Sequence, residues 1–259
     1  MKFILHNIAI EMTRRCNAKC HHCMRGEAQN IDVSEEIIDS ILNNEEISQI
    51  DHICFSGGEP TLNADMIIYA INKIIAEKIN VLEIAMVTNG QIFNRELVEA
   101  FNRFINYRKE VNGKDSDDYA RITFSVDRFH PSISQEVLDN YLKYSQGITL
   151  TEYAVKDEDI YQTGFATEGK EFNYQLDQLR YILNDQDDYW VLDNLYFTAN
   201  GYITSEGMGQ YTDMDRINMG HISNTSISEV LAKYGTPNFG APKIVLNNDE
   251  PKKKVYHSN

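Results

Sequence analysis

The chain has no excess of positive charge. Its 259 residues carry 24 lysines and arginines against 39 aspartates and glutamates, a formal net charge of −15. Such a surface repels phosphate backbones and anionic membranes unless a local basic patch intervenes. The one lysine run, Lys252-Lys253-Lys254, stands in a polar tail, 247–259, that is expected to be disordered. Nucleic acid is therefore excluded as a partner. No apolar run approaches the ~18 residues that span a bilayer. The opening MKFILHNIAIEM is too short for a signal peptide and too interrupted by His6, Asn7 and Glu11. These absences exclude a membrane and make a cytoplasmic location the expectation. Cysteine is scarce too: there are four, and none follows Cys54. In a reducing compartment a few clustered cysteines mean metal or redox chemistry, not disulfides. Internal repeats and low-complexity segments are lacking as well.

What is present fits an ordinary globular protein, with 42% hydrophobic and 24% charged residues. The length suits one large domain, or one domain with a small appendage. Periodicity predicts strands over 7–12, 50–56, 82–90, 121–126 and 148–155. Helices are predicted between them, over 32–47, 63–78, 94–111 and 134–144. Asp32 and Glu35 are placed as a capping box for the first helix, and Asn63 as the cap of the second. Strands that alternate with helices call for a parallel sheet with crossover helices, a doubly wound sheet or an α/β barrel. In both, ligands gather at the carboxyl ends of the strands. The unusual residues fall at those ends. After about residue 190 the pattern changes to a hairpin around Asn200-Gly201, then a short strand and a helix that Ser226 is placed to cap.

Three of the four cysteines stand in CNAKCHHC as Cys16, Cys20 and Cys23, spaced C-x3-C-x2-C after the first strand. Three thiolates on one loop can converge on one metal object. A structural zinc wants four ligands, and His21, His22 or Cys54 offers a fourth. An iron–sulfur cluster also usually takes four cysteines, and one held by three leaves an iron open for chemistry. The second motif, FSGGEPTL, follows the second strand. Its two glycines permit close backbone approach to a ligand, and Glu59 supplies a carboxylate.

Together the two motifs resemble the radical S-adenosylmethionine (SAM) superfamily. The resemblance implies a partial (β/α)6-type barrel over 1–188 and one [4Fe-4S] cluster on Cys16, Cys20 and Cys23. SAM is then the fourth ligand, chelating the open iron through its amine and carboxylate. Gly57, Gly58, Glu59 and Pro60 become the loop that cradles the SAM amino group, which needs acceptors for its hydrogens. The residue before the last cysteine is usually aromatic and near adenine; here it is His22. Asn89 of TNG and Ser125 of FSVD match positions that touch the SAM carboxylate or ribose. GFA at 164–166 is faintly similar to a late-strand GRA element. The implied activity is reductive cleavage of SAM, giving a 5′-deoxyadenosyl radical that abstracts hydrogen from a substrate C–H bond.

The hairpin LYFTANGYI and the following MGHISNTSISEVL resemble a SPASM or twitch extension, over 189–246. There, auxiliary-cluster cysteines are expected; Ser205 and GMGQYTDMDRINMG stand in their place, so a metal-free version is implied. That tilts the substrate towards a ribosomally made peptide, with a small polar metabolite such as a sugar derivative as the alternative. With the first strand beginning by about residue 7, no leader-binding segment is expected ahead of it. A reductase such as flavodoxin or ferredoxin is the implied electron donor. A non-catalytic zinc- or SAM-binding relative is the rival from another class. Asp127 and His130, in SVDRFHP after the fourth strand, are candidate catalytic or substrate-anchoring residues, and a cap for the next turn is the alternative for Asp127. Arg14 and Arg15 either neutralise the cluster or are solvated. Cys54 reads as a small core residue, with hydrogen donation to a substrate radical as the other reading.

Overall fold

In the computed structural model the described residues are 1–112, 119–176, 178–184, 189–205, 207–238, 241, 243–246 and 254–257. The chain opens with β1 (Lys2–Thr13), α1 (Glu35–Leu42) and β2 (Ile47–Gly57). A 3-10 turn (Pro60–Asn63) leads into α2 (Ala64–Glu77), then β3 (Val81–Thr88), α3 (Arg95–Asn112) and β4 (Ala120–Ser125). After α4 (Gln135–Tyr144) and β5 (Thr149–Tyr153) come the short β6 (Tyr161–Gln162) and β7 (Lys170–Glu171). The rest comprises β8 (Leu179–Asn184), β9 (Tyr189–Phe197), β10 (Ile203–Thr204), α5 (Tyr211–Arg216), α6 (Ile227–Tyr234), β11 (Gly235–Pro237), β12 (Lys243–Leu246) and β13 (Lys254–His257).

β1 to β5 lie side by side in chain order and pair in parallel. Each crossover carries one helix, as the sequence periodicity required. Alternate strand residues explain why the helices settle where they do. Ile8, Ile10 and Met12 of β1, Ile53 and Phe55 of β2, Ile84 and Met86 of β3, and Ile122 and Phe124 of β4 are all buried. They pack in one core with Ile67, Ile71 and Ile74 of α2 and with Leu97, Phe101 and Phe104 of α3. Each such side chain contributes about 1.5–3 kcal/mol on burial. Most of their strand neighbours point the other way: Asn7, Ala9, His52, Cys54, Glu83 and Thr123 are only half-buried and Arg121 is exposed, while Ala85 and, at the end of β1, Glu11 are buried. One face of the sheet is thus sealed by helices, and the other is a polar surface.

The sheet runs β11-β8-β9-β1-β2-β3-β4-β5, with β10 on β9. Its ends do not meet, so it stays an open, partial barrel. The sixth parallel strand, β9, does not follow β5 across a helix; it lies on the opposite side, against β1, from Lys2↔Tyr189 to Ile10↔Phe197. A division at 188/189 therefore runs between residues that feed the same sheet. The hairpin around Asn200-Gly201 is β9–β10, with Gly201 at φ +82, and Ser226 with Glu229 forms a full capping box on α6. Residues 254–257 of the tail pair with 243–246; the rest of the disorder expected at 247–259 lies outside the described residues.

Two caps differ from expectation. Ser34, not Asp32, caps α1, accepting from the Ile37 amide at 3.4 Å. Asp32 instead accepts from the Thr13 hydroxyl at 2.5 Å and pairs with Arg15. Asn63 precedes α2, yet its side chain donates to the Met12 carbonyl at 2.7 Å and caps nothing. In both cases a contact to the β1 end outcompetes a local cap. Among the described residues no helix is long and apolar enough to cross a membrane.

Candidate active site

β1 ends at Thr13 and hands the chain to the cysteine loop. Cys16, Cys20 and Cys23 are free and half-buried, and all three line one cavity of about 310 Å³. The Cys23 amide donates to the Cys20 carbonyl at 3.0 Å, which coils the loop inward. Burial pushes the Cys16 thiol up and the Cys20 thiol to about 11, and the neighbouring sulfurs add to both shifts. Cys16 and Cys20, which resist ionising, need a cation to hold them as thiolates, as metal binding supplies. The other walls come from strand ends: Ser56 to Glu59 at the end of β2, Val87 to Asn89 at the end of β3, Ser125 of β4, and Tyr153 and Val155 at β5.

GGEP is held against the cysteine loop. Gly57 sits at φ +144, and a Cβ there would meet the Thr13 carbonyl at 2.3 Å; one on Gly58 would meet the Arg15 carbonyl at 2.3 Å. The Gly58 and Glu59 amides donate to those two carbonyls, each at 2.8 Å. The close backbone approach that the glycines allow is thus to the chain leading into Cys16. Both residues also line the cavity, while Pro60 is buried off it as the first residue of the 3-10 turn.

Glu59 is fully buried. Its Oε1 accepts from the Thr61 amide (3.1 Å), the Thr61 hydroxyl (2.6 Å) and the Thr88 hydroxyl (2.7 Å), and its Oε2 from the Asn89 amide (2.8 Å). The carboxylate ties the ends of β2 and β3 together, and Oε2 keeps the spare acceptor capacity. Asn89 in turn donates from Nδ2 to Asn17 Oδ1 at 2.8 Å, inside the cysteine motif. Thr88 was not singled out by sequence reasoning, although it begins the TNG signal.

His22 lines the cavity and packs against Phe129 (centroids 4.5 Å apart) and edge-on to His130 (4.8 Å). Its Nδ1 is buried without a partner, and burial, then His130, hold its imidazolium down. His130 also lines the cavity; Asp127 stands behind it. Asp127 Oδ1 accepts from the Phe129 and His130 amides and from His130 Nδ1 (2.9 Å), and Oδ2 from the Val155 amide at 3.1 Å. Burial raises the Asp127 carboxyl, but these bonds outweigh it and leave it below the usual range. Asp127 thus caps the turn and orients the His130 ring. The atoms that His22, Asp127 and His130 offer lie within 4.8 Å of one another, with the Asp127 oxygens already engaged.

The arginines part company. Arg14 neither faces the cysteines nor meets water: it is buried, donating to Glu11 at 2.8 Å and bidentately to Asp215 at 2.7 Å. Arg15 holds Asp32 and the Leu62 carbonyl. The arginine on the cavity wall is Arg25, which lay two residues beyond Cys23 in plain view. GFA also gains a place: the Phe165 amide donates to the Cys23 carbonyl at 2.8 Å, and Gly164, at φ +63, has no room for a Cβ beside it.

A second cavity, about 830 Å³, opens on the polar sheet face and is lined by Asn7, Ala9, His52, Cys54, Arg180, Asp193, Asn194, Tyr196 and Ser205 among others. Cys54 is therefore not a core residue: its side chain faces this chamber, half-buried. Burial pushes its thiol up to about 11. Cys54 and Ser56 are successive positions on one face of β2, so the two cavities adjoin along that strand.

The donor set fits a cluster held by three cysteines. Three sulfurs share the cavity, Cys54 lines the other one, and an unpartnered imidazole nitrogen and an arginine complete the wall. Comparison with known proteins agrees. Residues 10–137 match the family model of the Radical SAM superfamily. The "Molybdenum cofactor biosynthesis protein 1" of Dictyostelium discoideum is 28% identical over 144 residues, 51% of this chain and 22% of that protein. The chain thus spans about a fifth of the length of this curated relative. Among solved structures, "His6 tagged anSMEcpe with bound AdoMet" is similar at a TM-score of 0.53 and 11% identity, covering 89% of this chain and 77% of that one. "Native anSMEcpe with bound AdoMet and Cp18Cys peptide" matches at 0.53 and 12%, covering 89% and 80%. At these identities the likeness is one of fold.

Proposed function

We propose that this chain, whose residues 10–137 match the Radical SAM superfamily, acts as an enzyme of that family and takes a hydrogen atom from a C–H bond of a peptide. The observation that carries this is convergence: Cys16, Cys20, Cys23, Gly57, Gly58, Glu59, Asn89, Ser125 and His130 line one cavity at the strand ends. The family's cluster and SAM supply a carbon radical when bound. This chain's residues hold and shield it. Cys16, Cys20 and Cys23 bind the cluster. Glu59 Oε2 and the GGE backbone accept the SAM amine, and Asn89 and Ser125 face its polar remainder. His22 and Phe129 form an aromatic wall that excludes water. His130, fixed by Asp127, faces the substrate side. A flavodoxin or ferredoxin delivers the electron in the cytoplasm. Residues 189–246 act as the twitch-like part, bracing the cysteine loop with side chains where a metal is expected.

A peptide is supported by the second cavity. It is wide, and its Asn7, Asn194 and Gln178 side chains match backbone amides in both donors and acceptors. The solved protein of like fold with a peptide bound points the same way. A small polar metabolite is the second reading, favoured by the relative named for molybdenum cofactor biosynthesis.

The test is anaerobic incubation of the iron-loaded protein with SAM and a strong reductant. Release of 5′-deoxyadenosine is expected, accelerated by cell extract. Protease treatment of the extract should abolish the acceleration. Its survival would favour the metabolite, and loaded protein that never cleaves SAM would end the enzymatic reading.

A further inference from the structure

Arg25 is a half-buried cation with no carboxylate partner among the described residues. Its Nη2 donates to the Tyr196 hydroxyl at 3.0 Å; its Nη1 reaches the Met214 sulfur at 3.1 Å and the Gly209 carbonyl at 3.4 Å. The guanidinium lies 5.2 Å from the Tyr196 ring centroid and 5.8 Å from that of Tyr211. Among the described residues no carboxylate pairs with it. Glu11, which Arg25 reaches through the shared Tyr196 hydroxyl, is already engaged by Arg14 Nε, the Ala199 amide and that hydroxyl. Contrast Arg14 in the same network, which holds two carboxylates. A charge withdrawn from water without a partner is costly. Arg25 nevertheless lines the cavity of the three thiols.

We propose that Arg25 is the counter-cation of the cluster cavity, held in place by Tyr196, Tyr211 and Met214 of the C-terminal segment so that it stabilises the reduced cluster. A thiolate-held cluster is anionic, and reduction adds another negative charge; net charge and hydrogen bonding set such potentials. A fixed guanidinium beside it favours the reduced form through Coulomb attraction, which is stronger in a partly dehydrated cavity than in open water. The residues that hold it come from β9, the turn after β10, and α5. The C-terminal segment thus acts on the cluster electrostatically, through Arg25. This rests on the assignment of the three cysteines to the cluster.

The experiment is an EPR-monitored redox titration of the full chain, reconstituted without oxygen and without SAM. Arg25→Gln and Arg25→Met should load iron and lose at least about tenfold in the equilibrium constant for reduction, about 59 mV lower for one electron. Arg25→Lys, which keeps the charge, should stay close to the parent. A parent-like potential in the neutral variants overturns the proposal; if their SAM dissociation constant alone has risen, the cation serves the SAM carboxylate instead. Should neither neutral variant hold iron while Arg25→Lys does, the charge requirement stands. Loss of iron in all three makes Arg25 a packing residue and ends the idea. Absence of iron from the parent would instead sink the cysteine assignment, and this proposal with it.

Discussion

The two cavities are built differently. The smaller is walled by residues at the ends of five strands, and several of these segments are bonded to one another: Glu59 to Thr88 and Asn89, Asn89 to Asn17, Phe165 to Cys23. The larger is lined mainly by mid-strand side chains such as Asn7, His52, Cys54 and Asn194, which the sheet itself fixes in place. A site that must grip an invariant cofactor needs mutually bonded loops. A site that selects a variable substrate needs only a scaffold whose inward positions can change one at a time. The comparison predicts total effects at the first cavity and graded effects at the second.

The largest contrast lies among the cysteines. Cys16→Ala, Cys20→Ala and Cys23→Ala should each abolish bound iron and sulfide after reconstitution, whereas Cys54→Ala should bind the parent amount. Iron analysis with visible absorption reads this directly. Loss of iron in Cys54→Ala would dissolve the distinction between the cavities, and iron and sulfide for two clusters would show a second metal site.

Next in size is the buried ion network under the cysteine loop. Arg14→Leu leaves Glu11 charged and buried, with Asp215 deprived of its bidentate partner. Breaking such a pair costs about 3–5 kcal/mol, visible as a lower denaturant midpoint in the metal-free protein. A variant as stable as the parent would mean that the C-terminal segment does not brace the loop through Arg14.

Glu59→Ala follows. Its removal strands the Thr61 and Asn89 amides, at about 1–3 kcal/mol for each buried donor left unsatisfied. Destabilisation should accompany weaker SAM binding, with the cluster's absorption kept. Weaker SAM binding without any loss of stability would show that the carboxylate serves the ligand alone.

Much of this was legible in the sequence, and the limits have physical reasons. The cysteine spacing and GGEP are local, and local spacing fixes which backbone turns are possible. The five strands and four helices follow from apolar period. The Arg14–Asp215 and Arg25–Tyr196 contacts span 201 and 171 residues, and no periodicity encodes such partners. Cys54 was misplaced for a similar reason. Its neighbours Ile53 and Phe55 are core, but a strand sends alternate residues to opposite faces, and which face is open depends on helices elsewhere. β9 was assigned to an appendage because its partner, β1, lies at the other end of the chain.

At the larger cavity, His52→Ala and Asn194→Ala should raise the KM for the substrate by up to about tenfold, since each removes one or two hydrogen bonds. Substrate-independent SAM cleavage should be unchanged. If that background cleavage falls as well, the two cavities are one functional unit.

The smallest effect concerns Asp127, which serves the first cavity only through His130. Its folded carboxyl titrates below its unfolded value, since the bonds from His130, Phe129 and Val155 outweigh burial. A depressed carboxyl contributes stability that is fully present above the unfolded value, near 3.9. That contribution disappears as pH falls through the lower folded value. Asp127→Asn should therefore be less stable than the parent at pH 7, and the gap should narrow in acid, below about pH 4. Denaturant titrations of both proteins across that range measure it. The Asn side chain still accepts at one oxygen, so the loss at neutral pH should be smaller than for Glu59→Ala. His130 should lose its fixed orientation, so coupled product formation should fall while uncoupled 5′-deoxyadenosine release persists. A constant stability gap down to pH 3 would show that charge is not what Asp127 contributes to the turn. Equal product formation in parent and variant would show that the orientation of His130 is immaterial to the reaction.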